Sequence, residues 1–211
     1  MAFDLEEQEQ IAELKQFWKQ YGTLIVTLAV AALAAFGGIQ GWRYYQTSQA
    51  ERASSLFTKF GEAVRKNDVN EIRALGKQVI DGYGSTAYGP TAALLLAKTN
   101  YENGDPSGAA GQLQWAIDKA RDEETAELAR LRLASIRLDE KKYDEALKLL
   151  ETKHGPAMQT LYADLRGDVM VAQGKSAEAR AAYKAAIEAS LPNSSYRNVV
   201  QIKLDALGGD Q

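Results

Sequence analysis

Cysteine is absent from this 211-residue chain, and histidine occurs once, as His154 in the stretch ETKHGP. Disulfides and thiolate metal sites are therefore excluded. No second His or Cys can join His154 in a nucleophile–base pair or a metal cluster, so it reads as a solvated loop residue. Strand signals are sparse, with no alternating Val/Ile/Thr runs and no Asn-Gly hairpin turn. A phosphate loop is missing too: GYGSTAYG, starting at Gly82, lacks both the lysine and a preceding strand. There is no strong basic excess of the kind a nucleic-acid binder carries. Charged residues are spread along helix faces, as in Arg121-Asp122-Glu123-Glu124, which is the pattern of a solvated surface. No cofactor is expected, and no constellation points to catalysis.

The longest absence is of charge. No Asp, Glu, Lys or Arg lies between Lys19 and Arg43. Residues 22–42, GTLIVTLAVAALAAFGGIQGW, have the length of about 20 apolar residues that crosses a hydrocarbon core of about 30 Å. In lipid each backbone group must bond within the segment, so a lone span is helical. Phe17, Trp18 and Tyr21 precede it and Trp42, Tyr44 and Tyr45 follow it, which suits rings at the headgroup level. A cleaved signal peptide would start basic and have a shorter apolar core; this start carries Asp4, Glu6, Glu7, Glu9 and Glu13. A soluble core helix seldom needs so long a charge-free run. Gly37 and Gly41 form a G-x-x-x-G step that lets a second helix approach, although glycine is common in membrane helices anyway.

Residues 1–21 read as an acidic amphipathic lead-in, with Ile11, Leu14, Phe17 and Trp18 at helical spacing. Five of the 28 acidic and two of the 25 basic residues fall within the first 19, so the rest of the chain is balanced at 23 each. Lys15 and Lys19 before the span face Arg43, Arg52 and Lys59 after it, a count that leaves the orientation open.

Residues 43–211 are expected to form one all-α domain. Helices are predicted at Ser48–Arg65, Val69–Asp81, Pro90–Asn103, Ser107–Ala120, Glu123–Glu140, Tyr143–Glu151, Met158–Gln173, Ser176–Ala189 and Ser194–Leu207. Pro90 and Pro106 fit first turns, and Gly104 and Gly174 fit helix ends. The hairpins repeat. A small residue on one helix is followed twelve positions later by an alanine, in Ala97/Ala109, Ala134/Ala146 and Gly167/Ala179. Four residues on stands a bulky side chain: Leu113, Leu150 and Tyr183. The shifts of 37 and 33 residues, with one helix pair per repeat, resemble the tetratricopeptide repeat. The consensus first-helix aromatic is replaced by Ala93, Arg130 and Ala163, so the repeats are degenerate. Phe60 and Ile72 sit one period upstream and mark a weaker unit. The last helix, with Tyr196, Val199, Val200, Leu204 and Leu207, is expected to cap the stack. The architecture is then a transmembrane helix followed by a right-handed helical-repeat solenoid.

Such stacks bind proteins along the face made by the first helix of each pair. Leu94, Lys98, Tyr101, Leu131, Ser135, Leu138, Asp164, Asp168 and Val171 are the expected lining, some of the leucines serving as plain core.

The whole chain resembles the YfgM-type ancillary subunits of the bacterial SecYEG translocon. The resemblance is sharpest in EEQEQIAELKQFWKQYG, in the glycine-bearing span, in GWRYYQTSQAERAS and in LYADLRGDVMVAQGKSAEARAAY. It implies a single-pass inner-membrane protein with a cytoplasmic amino terminus and a periplasmic repeat domain. It also implies association with SecYEG and with a membrane-anchored, prolyl-isomerase-like periplasmic chaperone. Exported clients would pass to periplasmic chaperones, and the acidic tail would meet a cytoplasmic stress-response regulator. The competing readings are an anchored scaffold of another envelope or division complex without client handling, and an enzyme, against which the lack of a cluster speaks.

Overall fold

The computed structural model describes residues 2–208, with side chains from residue 10 onward. The side chains of Asp4, Glu6, Glu7 and Glu9 lie outside the described residues. Among those described are nine α-helices, one 3-10 turn and no strand. The helices are α1 (Ala2–Lys66), α2 (Val69–Tyr83), α3 (Tyr88–Glu102), α4 (Pro106–Lys119), α5 (Glu123–Asp139), α6 (Tyr143–Leu150), α7 (Gln159–Ala172), α8 (Ser176–Ala189) and α9 (Ser195–Ala206), with the 3-10 turn at Pro156–Met158. Two compact units result, Met1–Gln49 and Ala50–Gln211, so residues 43–49 fall with the first. One expectation is corrected. No separate helix starts at Ser48; α1 passes through that point, where no proline interrupts it.

In the first unit the apolar stretch is bare. Its most apolar 18 residues have a mean hydropathy of 2.1 and are 6 % buried. A helix built for a soluble core would be covered by its own chain; Leu33, Phe36 and Leu28 are all more than 60 % exposed instead. The Thr27 hydroxyl donates to the Thr23 carbonyl at 2.7 Å, which satisfies it within the helix as lipid requires. The Phe17 and Tyr21 rings pair at 5.1 Å and Trp42 and Tyr45 at 6.0 Å. At 1.5 Å per residue, Tyr21 and Trp42 stand about 32 Å apart along the axis, close to the hydrocarbon thickness. Ala31→Arg should therefore weaken insertion by about 2.5–3.5 kcal/mol. Membrane fractions extracted at alkaline pH should lose the variant; an unchanged yield would contradict an anchor here.

In the second unit each helix packs mainly on the next in sequence, α2 on α3 and so on to α8 on α9, with α5 also touching α7. Local chemistry starts the helices. Asp68, Asp105 and Asp122 accept from the backbone N–H groups of Asn70 and Glu71, Gly108, and Thr125 respectively. The hydrogen bond to Thr125 holds the Asp122 carboxyl below the usual carboxylate range.

The hairpin turns are built alike. At Gly104 and Gly174 the backbone is left-handed, as the glycines suggest, with φ of 78° and 74°. Asn67 and Lys141 take the same conformation, at φ 55° and 60°, in the two turns that lack glycine. In all four, the N–H of this residue reaches the carbonyl three back and the next N–H reaches the carbonyl five back: Val64 and Ala63, Tyr101 and Asn100, Leu138 and Arg137, Val171 and Met170. The weak upstream unit at Phe60/Ile72 is therefore a fourth hairpin of the same construction.

The paired positions fall in the core. Ala97, Ala109, Ala134, Ala146 and Ala179 are buried, as are Leu113, Leu150 and Tyr183 behind them. A volume rule governs each hairpin at positions sixteen apart: Phe60 faces Gly76, Ala97 pairs with Leu113, Ala134 with Leu150, and Gly167 faces Tyr183. A Cβ on Gly167 would lie 2.3 Å from the Tyr183 ring, and one on Gly76 3.0 Å from the Phe60 ring. Where one side of the hairpin carries an aromatic ring, the other carries no side chain at all. Volume is kept roughly constant and merely shared differently, as close packing demands.

Two departures shape the carboxyl half. Helix α6 has 8 residues where α4 and α8 have 14. The segment Glu151–Pro156 replaces its missing turns, leaving a groove of about 660 Å³ lined in part by His154, Tyr162, Arg166, Met170 and Ala182. His154 is not a free loop residue. Its ring stacks on Tyr162 at 4.2 Å and meets the Thr152 carbonyl and the Gln159 amide oxygen. Beneath it the buried Glu127 carboxylate accepts from the Gly155 N–H at 2.6 Å, and the Tyr162 hydroxyl donates to the Glu127 carbonyl. Burial pushes the Tyr162 hydroxyl up to about 12. In α9, Val200 is buried and Tyr196, Leu204 and Leu207 pack on α7 and α8, but Val199 is 46 % exposed and points away from the stack.

Candidate protein-binding surface

The residue three before each left-handed turn has one structural address, because its carbonyl receives the first turn hydrogen bond. The four occupants are Val64, Tyr101, Leu138 and Val171, all apolar or aromatic. Tyr101 is 42 % and Val171 43 % exposed, while Val64 and Leu138 are half-buried. The first helices thus present one apolar group per repeat at their carboxyl ends.

Around Tyr101 the face closes into a shallow depression of about 300 Å³. Ala97, Leu113 and Ile136 form its floor, and Lys98, Arg132 and Ser135 its sides. Arg132 reaches across to the Leu94 carbonyl at 3.3 Å. The Tyr101 hydroxyl donates to Asp139 at 2.5 Å, tying α3 to α5 and raising the Tyr101 hydroxyl above its ordinary range. Lys98 pairs loosely with Glu102 at 3.7 Å on its own helix, so its charge stays in water.

Of the nine residues expected on this face, Lys98, Tyr101 and Ser135 come together in the depression. Val171 stands open one unit further on. Leu131 and Leu138 are half-buried against the core of the third hairpin. Leu94 is 6 % exposed and belongs to the core of the second. Asp164 is only 4 % exposed, because α9 lies over it. Lys203 of α9 donates to both oxygens of Asp164 at 2.9 Å and both of Asp168 at 2.8 Å. Tyr196 donates to Asp164 at 2.6 Å and Tyr183 to Asp168 at 2.8 Å. Desolvation pulls the Lys203 ammonium down, but its bonds to the two carboxylates outweigh this and hold its pKa above the ordinary value. Burial first, and then the bonds to Asp168 and Asp164, raise the Tyr183 and Tyr196 hydroxyls. Sequence distance hides the partners in this network, since Lys203 lies 39 and 35 residues from them.

At Gly37 and Gly41 of the span an added Cβ would meet nothing within 4 Å, so the chain's own packing does not require glycine there.

The Tetratricopeptide repeat-like domain family matches residues 15–209. Along nearly its whole length the chain is similar to curated proteins named "Ancillary SecYEG translocon subunit". The relative from Neisseria gonorrhoeae is 32 % identical over 98 % of this chain and 100 % of its own length. That from Haemophilus influenzae is 31 % identical over 88 % of this chain and 91 % of the relative, and that from Escherichia coli 29 % identical over 95 % and 96 %. A bare apolar helix and a stack of helix hairpins, with such coverage by these relatives, place the chain in the ancillary SecYEG translocon subunit family, with a tetratricopeptide repeat-like domain.

Proposed function

We propose that this chain is a membrane-anchored, non-enzymatic interaction protein of the SecYEG translocon that helps hand exported proteins to periplasmic chaperones. The observation that carries this reading is the presence of both an uncovered apolar helix and a first-helix face on which Tyr101 and Val171 stand exposed. The names of the full-length relatives support the translocon as the neighbour. In this reading the amino terminus is cytoplasmic, where its acidic segment meets a stress-response regulator. The repeat domain is periplasmic, where it joins a membrane-anchored prolyl-isomerase-like chaperone.

Labour is divided between the units. Residues 1–45 hold the translocon through helix contacts such as the Gly37/Gly41 face. Residues 46–211 hold soluble partners or clients, with Tyr101 and Leu138 among the few anchors that dominate such interfaces. Replacing the span with an unrelated apolar helix should abolish SecYEG copurification and spare soluble-partner binding. Tyr101→Ala with Leu138→Ala should do the reverse, with circular dichroism unchanged. If the isolated repeat domain recovers SecYEG as well as the full chain does, this division is refuted. Crosslinking to an emerging secretory chain separates client handling from a purely structural scaffold.

A further inference from the structure

Helix α9 covers the very carboxylates that the repeat pattern places on the first-helix face of the last hairpin. Its contacts are of an unusual mix. Among its residues only Val200 is buried, and its side chains make no N-cap hydrogen bond. Polar bonds do much of the holding. Lys203 sits between Asp164 and Asp168. The Arg197 guanidinium donates to the Ile187 carbonyl, and Arg180 of α8 donates to the carbonyls of Leu207 and Gly208 at the far end. Each α9 residue facing inward falls on one stripe: Tyr196, Val200, Lys203, Leu204 and Leu207. Below them lie Ala163, Tyr183, Ala186 and Ile187, an apolar bed with two carboxylates along its edge.

We infer that α9 is a releasable autoinhibitory strap. It occupies, in cis, a groove whose ligand in trans is a basic amphipathic helix that places a lysine between Asp164 and Asp168. The charge argument fixes the sign of the ligand. Two carboxylates face a single ammonium, so a cation is what this part of the bed is matched to. Any helix that covers these carboxylates again must bring a cation, because burying a carboxylate unpaired is strongly disfavoured. Elements with few buried apolar contacts open at the lowest free energy, below the global unfolding of the stack. The inference rests on the reading of the first-helix face as a protein-binding surface, and extends it to the last hairpin.

Two measurements on the full chain in detergent test it. In native-state hydrogen exchange, α9 amides should exchange at least a hundredfold faster than α7 amides, through an opening that leaves α7 and α8 protected. Equal protection across the three helices overturns the strap. The second probe is a fluorescent peptide of residues 191–208. It should bind the wild-type chain weakly, and bind chains carrying Lys203→Gln or Arg197→Ala at least tenfold more tightly. Arg197→Ala loosens α9 without touching the carboxylates, so it decides the matter if Lys203→Gln fails to fold. The same peptide with Lys203→Gln should lose binding at least tenfold. Affinity unchanged by the loosened strap, or indifferent to the peptide lysine, overturns the proposal. Tyr101→Ala with Leu138→Ala should leave peptide binding unchanged. If the peptide fails while those two residues still govern partner capture, the strap falls and the broader reading stands.

Discussion

Phe60→Ala should destabilise the repeat domain by about 3–5 kcal/mol, the usual range for deleting a buried aromatic ring. The ring is fully buried, and its edge lies where a side chain on Gly76 would stand. Gly76→Leu alone should cost about 1–3 kcal/mol by overpacking. Combining the two recreates the Ala/Leu pairing that the second and third hairpins use at Ala97/Leu113 and Ala134/Leu150. The double variant should therefore recover more than half of the Phe60→Ala loss, a coupling that only contacting positions show. Denaturant titrations followed by circular dichroism at 222 nm measure all three. Simple additivity of the two losses would show that the volume rule is a coincidence of sequence.

Lys203→Met should cost about 3 kcal/mol at neutral pH. Breaking one side of a buried ion pair commonly costs 3–5 kcal/mol. The lower end applies because Lys203 and Asp168 keep about 30 % exposure, while Asp164 has 5 %. Asp164→Asn in the Lys203→Met background should restore most of the loss, since it removes the one carboxylate that water cannot reach. A double variant no more stable than Lys203→Met would place the energy elsewhere. The same network sets an alkaline limit. Lys203, Tyr183 and Tyr196 all have folded values above their ordinary ones of 10.5, 10.0 and 10.0. A group raised on folding contributes stability that is complete below its unfolded value and is lost as pH rises through the folded one. All three therefore act with the same sign, and melting temperatures should fall steeply above about pH 10.

The helices were legible because their signals are local. Pro106 marks a start, Gly104 and Gly174 mark ends, and the small residues at Ala97, Ala134 and Gly167 mark close contacts within a hairpin. Each lies within about twenty residues of what it touches. The Lys203 network and the Glu127 bond to Gly155 were not legible for the opposite reason. Their partners are 28 to 39 residues apart, and charged residues on helices usually mean solvent. One available clue was the apolar stripe of α9, which brackets Lys203 with Val200 and Leu204 and so turns it inward. His154 lies in a loop as its sequence suggests, but that sequence says nothing of the Tyr162 ring beneath it.

Because every helix of the second unit rests mainly on its sequence neighbours, most native contacts are available before synthesis of the chain is finished. Loop-closure entropy is small for such contacts, which favours rapid folding from the amino-terminal hairpin onward. Each arriving hairpin finds a finished apolar surface to dock on, so little is left exposed to aggregate along the way. The exception is the last hairpin, whose Tyr183, Ile187 and Asp164 have no cover until α9 arrives. A chain stalled a dozen residues short of its carboxyl end would thus hold a completed array with one uncovered apolar terminus.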